Sequence, residues 1–149
     1  MKKLIIALSL IVISGKMKAQ SKVSLLEEAK KAIAASNAIY SDLVNKNDGS
    51  ILTRYTEDAC LLPPNAAPIC GKENIINFFK GGPQVHSIFK IQHIYGNGSE
   101  FVTEESNYEL YDMNNNKIDE GKVMVIWKKT KAGWKMHRDM FSSNRKPQP

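Results

Sequence analysis

The sequence has 149 residues, of which 42% are hydrophobic and 24% are charged, enough for one hydrophobic core and too little for two. Its 21 basic and 15 acidic residues give a formal net charge of +6. Four of the basic residues and none of the acidic ones lie within residues 1–20, so the remainder has 17 and 15 and a net charge of +2. This balance, without a clustered basic patch, excludes a typical nucleic-acid-binding surface.

Residues 1–20 have the pattern of a signal peptide. Two lysines precede an apolar run at residues 4–13, which is shorter than the roughly 20 residues that a transmembrane helix needs. We therefore predict export to the periplasm or the medium, with cleavage at Ala19 or Gln20. The product is one domain at residues 21–149 with no stable membrane insertion, and an uncleaved anchor is the alternative.

The following segment predicts a long helix. Ser24 and Glu27 fit a capping box, so we expect the helix to begin at Ser24 and to extend to about Asn45. Apolar side chains recur along it at helical spacing, at Leu26, Ala29, Ile33, Tyr40, Leu43 and Val44. Asn37 lies on this stripe where an apolar residue is expected, and a buried amide needs hydrogen-bond partners.

A short second helix and a hairpin come next. Asp48 or Ser50 is placed to cap a helix that ends near Tyr55. Cys60 and Cys70, the only two cysteines, flank a proline-rich hairpin tip. Export permits a structural disulfide between them, and two buried thiols are the alternative. A third helix is then expected at residues 71–79, ending at a Gly-Gly-Pro sequence.

The rest of the chain alternates with the period of β-strands. Strands are predicted at residues 85–95, 101–111, 118–129 and 133–142, and turn-forming residues separate them. Helices followed by hairpins indicate an α+β fold. We expect a curved antiparallel sheet wrapped around three N-terminal helices as a cone, with its core in residues 24–144.

Two stretches carry a family resemblance. Residues 55–65, Tyr-Thr-Glu-Asp-Ala-Cys-Leu-Leu-Pro-Pro-Asn, and residues 133–139, Gly-Trp-Lys-Met-His-Arg-Asp, resemble the SnoaL-like, ketosteroid-isomerase-like domains of the nuclear transport factor 2-like superfamily. The similarity covers roughly residues 27–144. It implies a pocket and a homodimer formed through the outer sheet face, but no single reaction, since relatives include isomerases, cyclases, dehydratases and hydrolases. The apolar strand has no Asp in the position of the isomerase base.

The last strand has the densest group of ionisable residues. By alternation, one face has Trp134, Met136, Arg138 and Met140, and the other has Lys135, His137, Asp139 and Phe141. If the first face lines the pocket, Arg138 is placed to hold a carboxylate or enolate oxygen. If the second does, His137 and Asp139 form a base with an orienting acid.

These three candidate catalytic residues also have structural interpretations. Arg138 is equally suited to a buried salt bridge with Glu104, Glu109 or Asp139, which would tie strands together. His137 and Asp139 are also compatible with an ordinary sheet surface.

Aromatic and amide side chains are the candidate ligand-binding residues, namely Asn37, Tyr40, Tyr55, Tyr108 and Trp127. A few polar groups in an aromatic pocket are typical of small-molecule sites, although tyrosines at these spacings also fill cores with the hydroxyl at the rim.

The three histidines form no metal-binding motif, Cys60 and Cys70 match no usual zinc spacing, and no nucleotide or phosphate fingerprint occurs. We expect no metal and no cofactor. The predicted function is an exported domain that binds a small apolar or aromatic molecule. The alternative is an acid/base enzyme of the isomerase, polyketide-cyclase or hydrolase kind in the same pocket.

Overall fold

The structure is a computed structural model that describes the backbone of residues 9–146 and the side chains of residues 24–146. The beginning of the predicted signal peptide, residues 1–8, lies outside the described residues. Two α-helices come first, α1 at Ser9–Ala38 and α2 at Tyr40–Asn45, followed by a 3-10 helix at Ser50–Arg54. The N-cap residue of this 3-10 helix is Gly49, in place of the predicted Asp48 or Ser50, because the backbone there has φ +88°. Asp48 Oδ1 nevertheless accepts a 2.8 Å hydrogen bond from the Ser50 amide at the start of the helix.

The predicted helix start at Ser24 is wrong. α1 passes through Ser24 without a break, because no proline interrupts residues 9–23. The helix also ends earlier than expected, and Ile39 separates it from α2. The apolar stripe is nevertheless the buried face, since Ala29 and Ile33 are both 0% exposed. No described helix is both long enough and apolar enough to cross a membrane.

Six strands form one sheet with α3 inserted between the second and third. In chain order the strands and the helix are β1 Tyr55–Leu62, β2 Ile69–Cys70, α3 Lys72–Phe79, β3 His86–Gly96, β4 Phe101–Tyr111, β5 Lys117–Thr130 and β6 Gly133–Ser143. The order across the sheet is β2-β1-β6-β5-β4-β3. The α+β fold is therefore confirmed, and the last four strands lie within two residues of their predicted limits.

One strand pair departs from the predicted antiparallel sheet. β1 lies parallel to β6, whereas every other neighbouring pair is antiparallel, so the sheet is mixed. The reason is the long connection from β1 through α3 and three hairpin-linked strands, which returns β6 to the edge of β1 in the same direction. β1 and β6 thus bring together the two stretches that carry the family resemblance, residues 55–65 and 133–139.

The core lies between the helices and the concave sheet face. Its fully buried members include Ile33 from α1, Ile75 from α3 and Trp127 from β5. The β3–β4 turn also approaches α1 closely. A Cβ at Gly98 would overlap the backbone of Leu25, and the φ of +74° at this position also favours glycine.

A disulfide closes the short hairpin that follows β1. Cys60 and Cys70 lie directly opposite each other in the β1–β2 pair and are joined by an S–S bond. The bond holds β2 and its proline-rich turn against β1, which agrees with the structural role expected for these two cysteines.

Candidate functional site

A cavity of about 340 Å³ lies between the helices and the inner face of the sheet. Its walls are mostly apolar and include Leu61, Phe89, Leu110, Val123, Val125, Met136 and Phe141. At its inner end are the buried residues Arg54, Glu104 and Asp139, which are 4%, 1% and 8% exposed. At its outer end are Phe78, Pro83 and Ile118, between α3 and the β4–β5 hairpin. This size is at the lower end of the range for small-molecule sites.

A β-bulge in β6 decides which residues of that strand reach the cavity. Ile126 pairs with Arg138 while the next residue of β5, Trp127, pairs with Met136, so His137 is an extra residue. A bulge reverses the alternation of side chains beyond it. Met136 and Asp139 consequently both line the cavity, although strict alternation assigns them to opposite faces.

Asp139 is one of the two carboxyl groups at the inner end of the cavity, together with Glu104. The Tyr55 hydroxyl donates a 2.6 Å hydrogen bond to its Oδ2. Burial raises the pKa of Asp139, because a carboxylate is poorly solvated there, and the Tyr55 hydrogen bond and Arg54 only partly oppose this effect. Burial and the neighbouring Asp139 also raise the pKa of Tyr55. Burial therefore favours the protonated form of both groups of this hydrogen-bonded pair.

Arg54 is the cation of the inner wall, and one of its three nitrogens has no acceptor among the described residues. Its Nε donates to Ser36 Oγ at 2.9 Å and its Nη2 donates to Asn37 Oδ1 at 2.8 Å. Its Nη1 is buried without a hydrogen-bond partner among the described residues. The guanidinium carbon lies 5.1 Å from the Tyr40 ring centre and 5.7 Å from that of Trp127. An unpaired buried donor costs about 1–3 kcal/mol, partly offset here by the two aromatic rings.

Both oxygens of Glu104 accept hydrogen bonds from neighbouring side chains. Its Oε1 accepts from Asn37 Nδ2 at 2.7 Å and from Ser106 Oγ at 2.5 Å, and its Oε2 accepts from Trp127 Nε1 at 2.8 Å. Asn37 thus links the buried cation Arg54 to the buried anion Glu104. Such a network fixes the amide orientation, because its oxygen faces a donor and its nitrogen faces an acceptor.

A third carboxylate, Asp119, lines the cavity nearer the outer end. Asp119 accepts 2.7 Å and 2.6 Å hydrogen bonds from the hydroxyls of Tyr108 and Ser143. Although burial acts in the opposite direction, these hydrogen bonds lower the pKa of Asp119. Gly121 lies opposite Tyr108 in the β4–β5 pair, and a Cβ at Gly121 would overlap the backbone oxygen of Ser142 and approach the Tyr108 ring within 2.8 Å.

Among the predicted ligand-binding residues, Asn37, Tyr40 and Tyr108 line the cavity. Burial raises the pKa of Tyr40, and no described residue hydrogen-bonds to its hydroxyl. Tyr55 and Trp127 lie behind the wall, where they hold Asp139 and Glu104 in place. The sequence therefore did not distinguish the candidates that line the cavity from those that lie behind its wall.

Two of the three predicted catalytic residues lie outside the cavity. His137 Nδ1 is 3.2 Å from Thr56 Oγ1 and 3.4 Å from Asp58 Oδ1, so the expected placement of His137 beside Asp139 on one face is wrong. Arg138 Nη1 donates to the backbone oxygens of Asp58 and of His137 at 3.1 Å and 2.7 Å. The bulge is the reason, because it turns Arg138 outward and separates His137 from Asp139.

The predicted salt bridges of Arg138 to Glu104, Glu109 or Asp139 are also not what the structure has. Glu109 pairs with Lys90 and Lys117, each at 2.9 Å, and Glu104 and Asp139 have the partners described above.

Arg54 and Glu104 were not identified as site residues from the sequence. Glu104 occupies an inner-face position of β4, in the alternating series Val102, Glu104, Ser106 and Tyr108, all at most 7% exposed. A charge within such a buried series is a detectable signal of a polar site. Arg54 carries no comparable signal, because a lone arginine in a short helix is usually exposed. Within residues 24–146, no three His, Cys, Asp or Glu side chains are grouped closely enough to hold a metal ion.

The fold is one that solved structures share. No family model and no curated protein matches the chain. A ketosteroid isomerase-like protein from Erwinia carotovora atroseptica has a TM-score of 0.62 at 17% identity, over 78% of this chain and 96% of that one. A nuclear transport factor 2-like protein with a cystatin-like fold from Novosphingobium aromaticivorans has 0.67 at 13%, over 95% and 94%.

A third solved structure, a protein of unknown function from Mycobacterium tuberculosis, has a TM-score of 0.73 at 15% identity, over 83% of this chain and 76% of that one. Identities this low establish the fold alone. The chain has the nuclear transport factor 2-like, cystatin-like fold that the resemblance implied. This fold serves many functions, so the site must carry the functional argument.

Proposed function

We propose that this chain is an exported domain that binds a small, largely apolar molecule in the cavity between its helices and its sheet. The observation that carries the proposal is an apolar chamber with a few polar groups, Arg54, Asp139 and Tyr40, gathered at or near one end. Apolar walls supply affinity, and a few fixed polar groups orient the ligand.

Native mass spectrometry of the protein purified from its own host tests the proposal, together with thermal shifts across a panel of lipids and aromatic metabolites. Leu110→Trp places a bulky ring in the cavity wall and is expected to abolish copurified mass and thermal shifts. Asn107→Trp, an outward-facing change on the same strand, is the matched control. No copurified molecule and no shift with the unaltered protein would refute the proposal.

A second candidate function is acid/base catalysis in the same cavity. The observation that favours it is a titratable pair, in which Asp139 lines the cavity and the Tyr55 hydroxyl lies 2.6 Å from its Oδ2 behind the wall. A carboxyl with a raised pKa is suited to proton transfer near neutral pH. Each bound compound is incubated with the protein and with Asp139→Asn, and products are followed by chromatography and mass spectrometry. Conversion that depends on Asp139 favours an enzyme, and unchanged recovery of every ligand rules it out for that set.

Export and a homodimer complete the proposal. Amino-terminal sequencing of the protein from its host should begin at or just after Gln20, and a chain that retains residues 1–20 would contradict export with cleavage.

For the homodimer, the outer sheet face provides exposed apolar area at Met124, Ile126 and Met140, which are 45%, 37% and 47% exposed. Sedimentation of the purified protein measures its subunit number directly.

A further inference from the structure

We propose that the ligand is an apolar monocarboxylic acid, with its carboxylate on Arg54 at the inner end and its apolar body directed toward Phe78 and Pro83. This inference rests on the proposed binding function and specifies the chemical class of the ligand.

The first support is the unused donor of Arg54. Ser36 and Asn37 on α1 occupy two of its nitrogens, and rings of Tyr40 and Trp127 cover the guanidinium. Nη1 is left without an acceptor in the part of the chain that the structure describes, although Arg54 lines the cavity. An oxygen atom that enters from the cavity would supply the missing acceptor for Nη1. Such a hydrogen bond would be charge-assisted, and these are stronger than bonds between neutral groups.

The second support is that no carboxylate among residues 24–146 forms a direct ion pair with Arg54. Glu104 is reached only through the Asn37 amide, and its oxygens already accept three hydrogen bonds. Asp139 is turned to the Tyr55 hydroxyl. Burial raises the pKa of Asp139, which favours its neutral form. A ligand carboxylate therefore meets a cation whose charge is not neutralised by contact. Guanidinium groups favour planar carboxylates over other acceptors.

The third support is that the described residues place no second free charge along the cavity. Between Arg54 and the outer end the walls are mostly apolar, and the remaining lining carboxylate, Asp119, is already paired with the hydroxyls of Tyr108 and Ser143. A ligand with charges at both ends would have to desolvate one of them against apolar side chains. This favours one carboxylate on an uncharged body.

The experiment compares matched head groups on the intact protein by calorimetry. Phenylpropyl, naphthyl and nonyl bodies are each tested as carboxylate, primary amide and amine, because the amide matches the carboxylate in shape without its charge. The carboxylate is expected to bind roughly ten- to a hundred-fold more tightly than the amide, as for a hydrogen bond to a charged group. The amine should bind most weakly.

Variants of Arg54 test whether this residue is the source of the preference for a carboxylate head group. Arg54→Met should remove the carboxylate preference. Arg54→Lys keeps the charge without the planar donors and should reduce the preference. This second variant keeps the test possible if Arg54→Met does not fold. Arg138→Met is the control, because Arg138 lies outside the cavity, and it should leave the preference unchanged.

Equal affinity for carboxylate and amide, tighter binding of the amine, or a preference that survives the Arg54 variants would overturn the carboxylate assignment while leaving a binding cavity. If no compound of any head group binds, the proposed function itself fails, and the carboxylate assignment fails with it.

Discussion

Replacing Glu104 by Gln tests whether the buried network holds the inner end of the cavity together. The carboxylate accepts three hydrogen bonds, from Asn37, Ser106 and Trp127, and is 1% exposed. A glutamine has one oxygen and one amide nitrogen. If the oxygen faces Asn37, the new amide nitrogen meets the indole N–H, and two donors oppose each other.

The opposite orientation is no better. An oxygen turned to Trp127 brings the new amide nitrogen to Asn37, which cannot turn over without taking its oxygen from Arg54. Two buried donors are left without acceptors in either case. At about 1–3 kcal/mol for each, we expect a loss of about 2–6 kcal/mol, a large part of the stability of a domain of this size.

Urea unfolding followed by circular dichroism measures the change through the midpoint and slope of the transition. Glu105→Gln is the matched control, since Glu105 lies on the outer face and accepts a single 3.0 Å hydrogen bond from Tyr95, and we expect a change of about 0.5 kcal/mol or less. A loss below about 1 kcal/mol for Glu104→Gln would show that water or a rearranged Asn37 satisfies the donors.

Three further changes have defined outcomes. Because the folded-state pKa of Asp139 is raised, its contribution to stability is present below the ordinary value of 3.8 and is lost as pH rises through the raised value. Asp139→Asn should therefore gain stability relative to the unaltered protein from about pH 4 to about pH 8 in urea unfolding, and a constant difference would contradict this. Replacing Cys60 and Cys70 together by Ala should cost about 3 kcal/mol in thermal unfolding, as expected for a loop with a sequence separation of 10, and an unchanged midpoint would argue against it. Met124→Lys on the outer face should convert the proposed dimer to monomers in sedimentation, and an unchanged mass would place any dimer contact elsewhere.

The elements of this fold were accessible from the sequence because local signals agree along most of the chain. Turn residues and alternation placed β3 to β6, and helical spacing placed the buried face of α1. The parallel β1–β6 pair was not accessible, since no local pattern records which distant strand a strand joins. The break at Ile39 was missed for a similar reason, because the apolar stripe continues across it.

The site was only partly predictable. Asn37 was identified because an amide on an apolar stripe signals a buried network, and it lies between Arg54 and Glu104. The assignment of His137 and Asp139 to one face depended on strict alternation, which fails wherever a strand contains an extra residue. Local sequence rarely reveals a bulge, so the inner face of β6 required the register with β5.

The bulge at His137 also makes the chemistry of the cavity depend on strand register. If β6 kept all its residues but ran past Met136 without the bulge, each later residue would move by one position against β5, and the two faces of the strand would be exchanged. Arg138 and Met140 would then point inward, and Asp139 and Phe141 outward. The presence or absence of a bulge would thus decide between an acid and a base in the cavity wall without any substitution, which offers a simple route by which proteins of this fold acquire different ligands.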